Sequence, residues 1–126
     1  MSMVNIQVKR VYEPAEAGDG FRVLVDRLWP QGESKEKAQI DLWDKDIAPT
    51  AELRQSFHSG EISWETFEGM YRQELEHNPA LNAFIDLIKD KKTVTLVFAA
   101  KDTEHTHVKV ILAVLQERGY GEGVTV

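Results

Sequence analysis

The chain has 126 residues, enough for one domain (1–126) with its own core and no need of metal or disulfide staples. It has no cysteine, which excludes disulfides, thiolate nucleophiles, iron–sulfur ligation and cysteine-containing zinc sites, and which fits a reducing, cytoplasmic setting. Fifteen Lys and Arg against 21 Asp and Glu give a net charge of −6, spread evenly along the chain, so the basic footprint of a duplex-binding protein is missing and nucleic acid is disfavoured as a partner.

The opening MSMVNIQVKR has no apolar stretch after a positive charge, so no signal peptide is expected. No apolar run approaches the roughly 18 residues of a membrane span. Val4, Ile6 and Val8 alternate with polar residues, the period of a strand with one buried face. Glu13 to Gly20 is polar and ends in an Asp19-Gly20 turn signal. Phe21 to Val25 is a second β-favouring run, which must stop by Pro30. Gln31 to Ala48 reads as irregular, with a short helical turn near Lys35. Thr50 is placed to cap a short helix burying Leu53 and Phe57.

Ser63 caps the clearest helix, on which Trp64, Phe67, Tyr71 and Leu75 form one stripe. Asn78-Pro79 opens the next, with Leu81, Phe84, Ile85 and Ile88 facing inward. Val94 to Ala100 is apolar on both faces, the mark of a central strand covered on both sides. Val108, Ile111, Leu112 and Leu115 pattern a helix that stops at Gly119, and Val124 to Val126 suits a last strand. The order predicts an α/β fold: a three-layer sandwich with a small, mostly parallel sheet flanked by helices.

Charges recur where the strong strands end: Lys9-Arg10, Asp26-Arg27 and Lys101-Asp102. In open parallel sheets ligands bind beyond the carboxyl ends of strands, where helix N-termini also point. The pattern therefore predicts a pocket for an anionic small molecule bearing phosphate or carboxylate, with amides near Thr103 and Glu104 as donors. The competing reading is that charges follow strands because strands end at solvent.

The runs VKRVYEP, DGFRVLVDRLWPQG, KDIAPTAELRQSF and VTLVFAAKDTEHTH resemble the YeaO-like family of small bacterial proteins, a domain of unknown function (488). The resemblance covers Val8 to about Leu115. It implies a compact α/β domain in a soluble bacterial protein and brings no assigned reaction. The family's usual Trp-Pro-Arg-Gly stands here as Trp29-Pro30-Gln31-Gly32, and a cysteine of longer relatives is replaced by Thr106. Cysteine chemistry in those relatives cannot carry over. The positions that do carry over are Lys9-Arg10, Asp26-Arg27, Trp29-Pro30, Lys101-Asp102 and His107.

Arg10, Arg27 and Lys101 are candidate anion ligands, because a guanidinium offers a planar fork of donors. Asp26 beside them is either a catalytic carboxylate or half of a structural ion pair. His107 is the candidate general acid or base. Trp29 and Trp43 can stack on a planar ligand or pin the irregular segment to the core, whereas Trp64 is expected in the core. His105 and His107 share a metal only if His105 precedes the helix, and His58 and His77 sit at helix ends elsewhere, so no metal site is assigned. No dinucleotide, phosphate-loop or nucleophile-elbow motif occurs, and the sequence names no cofactor.

Two function classes remain: a small enzyme or binding protein with an anion pocket, and a non-catalytic regulatory or interaction module whose charge cluster is structural. The pocket requires the strands ending near Arg10 and Arg27 to be parallel. The intervening loop is short for a crossover, yet the longer relatives point to parallel, and that is the expectation.

Overall fold

A computed structural model describes residues 4–120. Four strands, β1 (Asn5–Arg10), β2 (Phe21–Leu24), β3 (Leu42–Trp43) and β4 (Thr93–Phe98), form one sheet in the order β1-β4-β2-β3. Every pairing is parallel. Helices α1 (Lys35–Ala38), α2 (Ala51–His58), α3 (Trp64–Glu76), α4 (Pro79–Ile88) and α5 (His107–Glu117) complete the domain. The α/β class and the parallel relation of β1 and β2 hold, but the two strands are not neighbours: β4 lies between them. A 3-10 turn, Ala17–Asp19, stands in the crossover.

The layers are unequal. Ile6, Val23, Val94, Leu96 and Phe98 pack with α2 to α5 in the main core, which also takes Tyr71, Phe84, Ile88, Ile111 and Leu115. The alternate positions face a thin layer made by α1 and its loops, where Val11, Leu24, Ala38 and Val97 form a second, smaller cluster. Thr50, Ser63 and Asn78 each accept a hydrogen bond from a first-turn amide, as their places in the sequence require. Trp64 is half-buried at the core's rim rather than inside it, packed on Phe57 and Phe67.

The segment read as irregular holds structure. Leu42–Trp43 pairs with β2 as an edge strand, and Lys45–Ile47 is a 3-10 turn capped by Asp44. Two pairs specify little in a sequence; they become a strand only because β2 offers a partner. The expected strand at Val124 to Val126 lies outside the described residues. Among those described, no helix is long and apolar enough to cross a membrane.

Candidate functional site at the strand ends

Because all four strands run the same way, their carboxyl ends share one edge. After β1 and β2 the chain turns to the thin face, whereas after β4 it turns to the α5 face. Neighbouring strands that depart to opposite faces open a crevice at that edge, the usual ligand position in such sheets. At this edge the chain's own charged side chains bridge the strand ends. Arg10 donates from Nε to Ala100 O (2.8 Å) and from Nη2 to Ala99 O (3.0 Å). From the other side Asp26 Oδ2 accepts the Ala99 N–H at 2.9 Å. The link from β4 to α5 is thus clamped between β1 and the loop after β2.

Arg27 lies in that loop, three residues past the end of β2, and does not pair with Asp26. It donates to Pro49 O (3.1 Å) and Ala48 O (3.2 Å), fixing the entry to α2. Trp43 Nε1 donates to Asp26 O at 2.7 Å, and Trp29 Nε1 to Glu33 O at 2.8 Å. The two indoles meet edge to face at 5.5 Å. Both tryptophans therefore pin the long segment rather than present a free stacking pair.

His107 is the first residue of α5, and its Nε2 lies 2.9 Å from Val25 O and 3.2 Å from Asp26 Oδ1. A main-chain carbonyl only accepts, so the bond to Val25 O requires the proton on Nε2. The approach to Oδ1 falls within ion-pair range but is not aligned as a hydrogen bond, and Oδ1 is sealed from solvent. Thr106, the N-cap residue, is 3% exposed; its hydroxyl is the other sealed oxygen without a hydrogen bond among the described residues. Tyr71 packs against the His107 ring at 6.2 Å and donates its hydroxyl to Ile47 O at 2.5 Å. Burial, then the charges of Glu74 and Asp44, push its phenol well above the ordinary 10.0, so it stays neutral.

His105 lies before α5 and its N-cap Thr106, yet no third ligand joins it and His107 among the described residues. It packs against Trp64 with the rings tilted and 5.3 Å apart, its Nδ1 3.4 Å from Asp102. The amides of Glu104 and His105 do not await an anion, because both donate to Asp102 Oδ1 at 2.9 and 3.0 Å. Those two bonds, the His105 one first, hold the exposed Asp102 carboxyl below its ordinary value. Lys101 is exposed and has no partner among the described residues. His58 ends α2, as the sequence leads one to expect; burial first, then Arg54 and His107, lower its pKa. No group of three metal-ligating side chains gathers among the described residues.

Sequence reasoning missed a buried ionic network on the thin face. Asp19 Oδ2 meets Arg22 Nη1 at 2.6 Å, Asp19 Oδ1 meets Lys9 Nζ at 3.0 Å, and Arg22 also donates twice to Ala38 O. Burial raises the Asp19 carboxyl, but the Glu16 N–H, Lys9 and Arg22 outweigh it and leave it below the ordinary 3.8. The signal was Arg22, a charge at an alternating position within a strand. Two grooves lie away from the strand-end set: one of about 440 Å³ between β3 and α4, one of about 500 Å³ on the thin face beside Arg22 and Asp41. Neither is lined by Arg10, Asp26, Arg27, Lys101, Asp102 or His107.

A family model described as DUF488-N3i, the inactive DUF488-N3 subclade, matches residues 5–122. The "Uncharacterized protein YeaO" of Escherichia coli (strain K12) is 45% identical over 109 residues, covering 86% of this chain and 94% of its own. An uncharacterised protein of Mycobacterium tuberculosis (strain ATCC 25618 / H37Rv) is 36% identical over 113 residues, covering 90% and 95%. No solved structure matches the chain significantly.

Proposed function

The chain belongs to the DUF488 family, in its YeaO-like branch, and on that premise we propose that it is a non-catalytic binding domain whose charged strand ends brace its loops. One observation carries this: Arg10 and Arg27 each spend two guanidinium N–H groups on main-chain carbonyls, and Asp26 spends a carboxylate oxygen on a main-chain amide. Groups set for a substrate keep their donors for it, whereas these close the chain on itself. The word "inactive" in the description of the matching subclade agrees. So does the position of these two grooves away from Arg10, Asp26, Arg27, Lys101 and His107.

The anion pocket is the second reading, and a specific observation favours it. Nη1 of Arg10, Nη1 of Arg27, Lys101 Nζ and Nδ1 of His107 have no hydrogen-bond partner among the described residues. A thermal-shift series with phosphate, sulfate, citrate and sugar phosphates separates the two. The brace predicts no specific rise in Tm beyond that of a matched neutral-salt control. A saturable rise of several degrees with one anion establishes the pocket instead.

A further inference from the structure

The groove between β3 and α4 has a composition that points to a ligand class. Trp43, Phe84 and Leu87 supply its apolar wall, and Asp44, Lys45 and Asp46 its charged end. Its volume of about 440 Å³ falls within the ordinary range for small-molecule sites. Leu87 is 44% exposed, an apolar side chain left open to solvent at the rim.

Trp43 is held by its bond to Asp26 O and by an edge-to-face contact with Trp29. Against this fixed ring stands a cation from the chain itself: Lys45 Nζ lies 4.2 Å from the centroid. That ammonium forms no ion pair with a described carboxylate, although acidic residues flank it in sequence. An ammonium settles on an indole face because the ring's quadrupole attracts it, and the attraction is shared by any organic cation of suitable size. Burial pushes the Asp44 carboxyl above its ordinary value, the Ile47 N–H pulls it partly back, and the Asp46 charge raises it further. A carboxylate so placed gains from an arriving positive charge.

We propose that this groove binds an organic cation carrying an apolar group, seated on the Trp43 face beside Asp44 and Asp46, and that Lys45 is the internal occupant it displaces. The inference goes beyond the brace, since none of Arg10, Arg27 and Lys101 lines the groove.

The test is a heteronuclear NMR titration of the whole chain with benzyltrimethylammonium chloride, and with benzyl alcohol and benzoate as neutral and anionic counterparts. The cation is expected to shift the Trp43 indole and the amides of residues 43–46 and 83–87, and the other two probes are expected to shift neither set. Lys45→Ala removes the competitor and tightens binding about threefold, the scale of an exposed cation–π contact. Asp44→Asn, which keeps the oxygen that caps Ile47, weakens binding by a similar factor when combined with Asp46→Asn. Equal response to benzyl alcohol, shifts confined to other residues, or a Lys45→Ala chain that binds no tighter than the parent overturns the proposal.

Discussion

Asp26 accepts the main-chain N–H of Ala99 at 2.9 Å across 73 residues of sequence, tying the loop after β2 to the end of β4. Arg10 holds the same link through its carbonyls. Buried main-chain groups must find partners, and beyond the last ladder bond of a sheet the next strand cannot supply them. At this edge charged side chains do so.

Asp26→Ala leaves the part-buried Ala99 amide without its acceptor. The expected cost is about 1–3 kcal/mol, read as a lower urea midpoint with an unchanged slope. Asp26→Asn keeps an oxygen for Ala99 and should cost less than Asp26→Ala. Equal losses in the two variants would show that the Ala99 bond is not the source of stability.

The Lys9–Asp19–Arg22 network makes the strongest demand on stability. Arg22→Ala takes one charged partner from the buried Asp19 carboxylate, which keeps Lys9 and the Glu16 N–H, and leaves Ala38 O without its two donors; the expected cost is about 1–3 kcal/mol. The exposed pair Arg72–Glu117, though bidentate at 3.0 and 2.7 Å, should contribute less than about 1 kcal/mol. Comparing urea unfolding of Arg22→Ala and Arg72→Ala tests that ordering.

The same network sets a pH dependence. The folded pKa of Asp19 lies below the ordinary 3.8, so on acidification the unfolded chain takes up this proton first. The contribution is therefore complete above the unfolded pKa and is lost as pH falls through the folded one. Acid titration of the parent should show a stability loss below about pH 4 that Asp19→Asn, already weakened at neutral pH, shows to a smaller degree. An identical pH slope in both chains would exclude Asp19 as the titrating group.

Gly20 sits at φ 64°, and a Cβ there would lie 2.4 Å from Thr93 O, a backbone atom of the neighbouring strand. Gly20→Ala thus combines backbone strain with a clash that cannot be relieved by a rotamer change. A loss of about 3 kcal/mol or more is expected in thermal or urea unfolding.

Much of the fold was legible because it rests on local patterns: alternation in β1, the stripes of α3 and α4, and the caps Thr50, Ser63 and Asn78. What was not legible depends on distant partners. Leu42–Trp43 becomes a strand through β2, and β4 enters between β1 and β2 from more than 60 residues away. Polar positions on β1 and β2 read as a solvent face, yet Arg22 is 3% exposed because Asp19 and Ala38 O receive it there. At the site, sequence placed Arg10, Asp26 and His107 at one edge, as the structure does. It could not reveal that their partners are Ala99, Ala100 and Val25, since main-chain groups carry no sequence signal.

The most direct test of the brace is urea unfolding of Arg27→Ala beside the parent, with and without phosphate. Arg27 holds Ala48 O and Pro49 O, so its loss is expected to cost about 1–3 kcal/mol, equally in both conditions. Unchanged stability without phosphate, together with a phosphate-induced stabilisation seen only in the parent, would contradict the brace and assign Arg27 to an anion site.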